Sequence, residues 1–205
     1  MLPDDRWGEL SESVGYFECD AVTLARWVAE GLGHPWRAVP CPWRTEEQLL
    51  QALQPRLQVT HYICAPAGQD WSLMLNDAVL GTDVGLFPSY AARELEIQAL
   101  RAVWGHGIYP ARIIEMFGPQ GRPPLKALRS IAAANDGGRW VFETSGDVLP
   151  FEDTSTYERP RRPDRFPGEA LHAFLRAIGI PEVERIDLEA SWIVERSLSD
   201  ADLAG

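Results

Sequence analysis

The chain has 205 residues, is 45% hydrophobic and 24% charged, and carries a formal net charge of −11. That balance is average for a soluble globular protein and excludes a disordered, collagen-like or coiled-coil chain. No apolar run reaches the roughly 18 residues of a membrane helix, and the acidic start Met1–Arg6 precedes no apolar stretch, so no secretory leader is expected.

Asp20 is a good N-cap for a first helix through Leu32, with Leu24, Trp27, Val28 and Leu32 as its apolar stripe and Gly33 as its stop. Trp36 and Trp43 bracket Arg37-Ala38-Val39-Pro40-Cys41-Pro42, a segment that reads as a loop. Thr45-Glu46-Glu47-Gln48 fits the capping box of a second helix, which Pro55 ends. Val59–Ala65 and Trp71–Asn76 read as two strands, and the Gly-containing connection between them makes a hairpin. Ser89 is placed to cap a helix running to Trp104, with Leu95, Ala99, Ala102 and Val103 inward and Gly105-His106-Gly107 at its end. Ala111–Phe117 reads as a strand closed by Gly118-Pro119.

The stretch Leu125–Ala134 matches both a helix and a strand. The turn signal Asn135-Asp136-Gly137-Gly138 favours a strand over Arg129–Ala134, followed by Arg139–Thr144 and Asp147–Phe151 in a meander. Residues 152–167 hold three prolines without periodicity and read as a loop. Pro167 suits the start of a helix, and Leu171, Phe174, Leu175 and Ile178 recur at i, i+3, i+4 and i+7 before Gly179. Ile186–Val194 alternates apolar and polar residues as a half-buried strand does, although a helix also fits. Helices and strands do not follow βαβ order, which predicts one α+β domain over 1–205. Its sheet is mostly antiparallel, with about four helices packed on it.

The charge is unevenly spread. Residues 1–20 hold six acids and one Arg, and residues 181–205 hold seven acids and two Arg, leaving the 160 residues between them nearly neutral. Acidic ends repel a phosphate backbone or an anionic membrane, which argues against both as partners. They would attract and steer a basic protein. Three cysteines without a CxxC pair argue against a disulfide scaffold and fit a reducing cytoplasm. His61 and Cys64 have two-ligand spacing, but alternation puts them on opposite faces of a strand, and no second pair completes a zinc site.

No nucleophile elbow, phosphate loop or metalloprotease motif is present, so no catalytic residue, cofactor or metal is assigned, and the balance tips away from an enzyme. Of the four scattered histidines, His106, flanked by glycines in a loop, is the freest to act as a base. Two features carry more. Trp36 and Trp43 are candidate aromatic anchors, since aromatic residues dominate binding hot spots. The Arg-rich segment 157–165 would bind an anion or pair internally with Glu152, Asp153 or the acidic tail.

The run Asn135–Glu143, then Gly146, Pro150-Phe151-Glu152, Tyr157, Arg159, Asp164-Arg165-Phe166 and the helix to Gly179-Ile180, resembles the C-terminal part of uncharacterised bacterial proteins. Those proteins are of the kind that serves as immunity partners of polymorphic toxins. The resemblance covers residues 130–180 and implies a non-catalytic cytoplasmic protein that binds and blocks a cognate toxin, often a basic one. On that expectation Glu182, Glu184, Asp187 and Glu189 meet the partner's Arg and Lys, with Trp36 and Trp43 as anchors. The rival is a small-ligand binder or enzyme with a pocket between sheet and helices, using His61 or His106. A homodimer burying exposed tryptophans against their twofold mates is the third reading.

Overall fold

Asp20 opens the first helix as its short polar side chain predicts: its carboxylate accepts Thr23 N at 2.8 Å and Thr23 Oγ1 at 2.9 Å. A computed structural model describes residues 13–54, 56, 58–77, 84–105, 109–181 and 185–196. Strand β1 spans Ser13–Phe17, helix α1 Ala21–Leu32, β2 Trp36–Pro40, α2 Glu46–Ala52, β3 His61–Pro66 and β4 Ser72–Asn76. Helix α3 follows over Phe87–Glu94, then β5 Ala99–Gly105, β6 Ala111–Arg122, β7 Ala127–Asp136 and β8 Arg139–Gly146. A short 3-10 turn at Arg162–Arg165 precedes α4 Gly168–Ala177, and β9 Trp192–Arg196 completes the order.

The strands form one nine-stranded sheet in the order β2-β9-β3-β4-β1-β5-β6-β7-β8. Every pairing is antiparallel, so the α+β class with an antiparallel sheet and four α-helices stands. Alternation assigns the helices to both faces. Ile63 and Ala65 pack with Leu49 and Leu53 near α2 and with Leu171, Phe174 and Leu175 of α4. Tyr62 and Cys64 face the other way, onto Leu24, Ala25 and Val28 of α1 and Ala91 of α3. His61 and Cys64 therefore lie on opposite faces, as their spacing predicts. A fully buried leucine such as Leu24 or Leu49 stabilises by about 1.5–3 kcal/mol.

Five expectations are corrected. The helix from Ser89 ends at Glu94, because Glu96 adopts a left-handed φ of 56° and the chain turns into β5. β5 lies between β1 and β6, buried on both faces, so its apolar run loses the alternation that marks a strand. The segment after Trp36 is an edge strand, not a loop. Pro40 closes it where no further ladder donor is required. β6 runs through Gly118-Pro119 to Arg122, with register shifts marking an irregular pairing with β7. Asp147–Phe151 is no third meander strand: Arg129 Nη1 takes the carbonyls of Ser145 and Gly146, and Leu149 N donates to Glu152. Of the expected strand Ile186–Val194, the described residues show strand from Trp192 (β9 runs to Arg196), while Asp187–Ser191 forms turns.

Candidate functional site

The topology brings three distant segments to one end of the sheet. β1 ends at Phe17, β3 turns into β4 between Pro66 and Ser72, and β9 begins at Trp192 opposite Cys64. The connections there enclose an open cleft of about 690 Å³ lined by Glu18, Cys19, Asp20, Asp70, Trp71 and Trp192, among others. No Arg or Lys is among its lining residues.

Each carboxylate is held differently. Glu18 Oε2 accepts Gln98 N at 3.1 Å, which fixes it against the start of β5. Asp20 is the helix cap, and the hydrogen bonds from Thr23 hold its pKa below the usual range against a small opposing effect of burial. Asp70 projects from the hairpin turn into solvent. Burial and the nearby Asp20 charge push the Cys19 thiol up to about 12, so it is a thiol, not a thiolate nucleophile. Trp71 is buried as one wall, and the Arg26 guanidinium lies 5.7 Å from the ring centroid of Trp192.

The segment 185–192 separates this cleft from a second concavity of about 370 Å³, lined by Arg44, Glu46, Arg185, Asp187 and Glu189 with their neighbours. Asp187 Oδ1 accepts Glu189 N at 3.1 Å and Ala190 N at 3.2 Å, and Ser191 Oγ donates to the Asp187 carbonyl at 2.5 Å. Asp187 therefore shapes the turn that presents the exposed Glu189.

Of the expected binding residues, Asp187 and Glu189 come together here, while Glu182 and Glu184 lie outside the described residues, as does His106. Trp36 and Trp43 do not form one patch. Trp36 packs on Tyr62 at 5.6 Å on the α1/α3 face, and Trp43 meets His61 edge-on at 6.0 Å on the α2/α4 face. Both rings are half-buried.

His61 belongs to a separate network at the opposite end of β3. The buried Asp77 carboxylate accepts Thr60 N at 2.8 Å, His61 N at 2.9 Å, His61 Nδ1 at 3.2 Å and the Thr60 hydroxyl. Burial raises the Asp77 pKa, but the His61 and Thr60 hydrogen bonds outweigh it and hold the carboxyl below its usual range. This arrangement ties the start of β3 to the end of β4.

Among the described residues the arginines of the Arg-rich segment bind backbone carbonyls and, within the segment, Asp164, while neither Glu152 nor Asp153 forms an ion pair with them. Arg162 donates to the Trp140 carbonyl at 2.8 Å, Arg165 to the Arg159 carbonyl at 2.8 Å and Arg159 to the Asp164 carbonyl at 3.3 Å. Glu152 pairs instead with Arg129, whose side chain, like that of Glu152, is almost fully buried. Arg129 Nε reaches Glu152 Oε2 at 2.9 Å, its Nη2 binds Oε1, and the Tyr157 hydroxyl donates to Oε1 at 2.6 Å. Among the described residues no group of three or more His, Cys, Asp or Glu is placed to hold a metal ion, and no helix is long and apolar enough to cross a membrane.

Asp20, Asp70, Trp71 and Trp192 are the cleft residues that sequence reasoning missed as site residues. Asp20 carries a cap signal that explains it without a partner, and the others come together only through strand order. No family model, no curated protein and no solved structure matches the chain.

Proposed function

We propose that this chain is a binding protein that neutralises a basic protein partner by occlusion, as a bacterial immunity protein does to its toxin. The observation that carries the reading is the cleft of about 690 Å³ lined by Glu18, Asp20 and Asp70 and by no Arg or Lys. A Lys- or Arg-bearing loop entering it would exchange water for carboxylates on a rigid frame of strand ends, and the field of those carboxylates would speed encounter. Trp71 and Trp192 supply the apolar wall, and an aromatic face also attracts a cation. Glu189 adds an exposed carboxylate on the 185–192 segment, beside a concavity that Arg44 and Arg185 also line, and Glu182 and Glu184 precede that segment in the sequence. The aromatic part of the interface is thereby assigned to Trp71 and Trp192, because Trp36 and Trp43 spend their rings on Tyr62 and His61.

The residues resembling immunity proteins lie at the end of β7, in β8, in the 150–166 segment and in α4, away from the cleft. They support the reading as shared framework and assign no contact. The test is capture from a bacterial lysate by the native chain and by the triple variant Asp20→Asn, Asp70→Asn, Glu189→Gln. A single basic protein is expected at near-equal stoichiometry with the native chain, weakened at about 0.5 M salt and reduced with the variant. Equal capture by both chains, or no basic protein in either eluate, would overturn the reading.

A further inference from the structure

A second concavity of a different kind lies between the 151–157 segment and α4. It encloses about 280 Å³, and its apolar walls are Ile131, Phe151, Phe166 and Phe174. Drug-sized ligands occupy roughly 300–1,000 Å³, so this cavity fits a molecule of fragment size. Phe151 stands at its mouth, 41% exposed, with its ring 5.2 Å from Phe174 in an edge-to-face arrangement. The frame is preformed: the Arg129–Glu152–Tyr157 network holds one side, and Thr156 Oγ1 donates to the Arg165 carbonyl at 2.7 Å on the other.

The charged groups lining the cavity are Glu152, Asp153 and Glu169, with no Arg, Lys or His among them. Arg129 neutralises Glu152. Asp153 shares the field of Arg159 and accepts Ser155 N at 2.9 Å. Glu169, exposed in the first turn of α4, forms no ion pair among the described residues. An aromatic pocket with exposed carboxylates at its mouth, Asp153 and Glu169, that no Arg or Lys pairs among the described residues matches a ligand with a flat apolar body and one ammonium group.

We propose that the cavity between the 151–157 segment and α4 binds a small primary amine with an aromatic body, the ring against Phe151 and Phe174 and the ammonium at Glu169. The site is separate from the acidic cleft and does not depend on the partner reading. The test is amide-resonance titration of the full chain with three probes of one shape: tryptamine, indole and indole-3-acetate. Tryptamine is expected to bind tightest, shifting the resonances of 151–157 and 167–174. Ala173→Phe, at an exposed position on the cavity wall, is expected to weaken it about tenfold or more by filling the space. Glu169→Gln is expected to weaken tryptamine about threefold to tenfold and to leave indole unchanged. Phe151→Ala gives a second variant whose loss of binding is read independently of Ala173→Phe. Indole-3-acetate binding as well as tryptamine, shifts outside these segments, or no binding at millimolar probe would overturn the proposal.

Discussion

Two regions of the sheet handle carboxylates in opposite ways. At the β7–β8 edge, Glu152 is buried and every oxygen is engaged, by Arg129, Tyr157 and Leu149 N. At the end formed by β1, β3, β4 and β9, the carboxylates of Glu18, Asp20 and Asp70 line an open cleft that no Arg or Lys lines. Burying a charge is tolerable only when a partner and hydrogen bonds compensate it, so the first arrangement is a fold element. Acids left together in water cost little locally and create a negative field at that end of the sheet, although Glu18 also holds Gln98 N and Asp20 also caps α1. The contrast separates Glu152, which should destabilise the protein when its partner is lost, from exposed cleft acids such as Asp70, whose neutralisation should leave the fold in place.

The sharpest way to break the comparison is Arg129→Met. It leaves Glu152 buried without its cation, and a loss of about 3–5 kcal/mol is expected in urea unfolding at pH 7. The pH dependence carries the sign. In the native chain burial raises the Glu152 pKa, but the bonds from Arg129 and Tyr157 outweigh it and hold the carboxyl low. Its contribution is therefore present above the unfolded value of about 4.3 and is lost as pH falls. In the variant Tyr157 and Leu149 N still bind the carboxylate but its cation is gone, so burial weighs more heavily toward the protonated form and the deficit should shrink between pH 7 and pH 4. An equal deficit at both pH values would show that Glu152 is not the group left uncompensated.

Gly168→Ala probes the same half of the molecule by packing instead of charge. A Cβ at Gly168 would stand 2.0 Å from Trp104, a ring that also lies 5.9 Å from the Arg112 guanidinium. Either the indole or the start of α4 must shift, and a loss of about 1–3 kcal/mol is expected, read as a lowered thermal midpoint. Asp77→Asn falls in a similar or smaller range. It keeps the size of a fully buried side chain but replaces an acceptor of four hydrogen bonds, and about 1–3 kcal/mol should be lost at pH 7. Because the native Asp77 pKa is held low, the difference between native and variant should narrow as pH falls below about 4.

These same residues show what the sequence makes legible. Local signals sufficed for α1, where Asp20 and Gly33 bound an amphipathic stripe, and for the β3–β4 hairpin, where a Gly-containing turn joins two apolar runs. They failed at β5, which is buried on both faces, and at β2, where Pro40 and the flanking Pro35 and Pro42 mimic a loop. Glu152 read as a partner of the neighbouring Arg-rich segment because its real partner, Arg129, lies 23 residues away across a turn that local patterning cannot close. The cleft was half legible. The acidity of the chain ends is plain in the sequence, but the strand order that brings residues 18–20 and 185–192 to either side of the β3–β4 turn is a long-range property.

The smallest effect on stability is expected at the cleft, and it is the one that sharpens the comparison most. Asp70→Asn and Glu189→Gln alter exposed side chains at the cleft and its wall, and stability should move by less than about 0.5 kcal/mol. Asp20→Asn can be added because asparagine caps a helix about as well as aspartate. With a captured basic partner, the triple variant should associate more slowly and lose much of its salt dependence, with a lesser effect on dissociation. Trp192→Ala should do the reverse in kinetics, speeding dissociation with little change in encounter, because an aromatic wall acts after contact is made. If instead the carboxylate variant unfolds the chain as Arg129→Met does, the cleft acids are part of the framework and the two regions do not differ in kind.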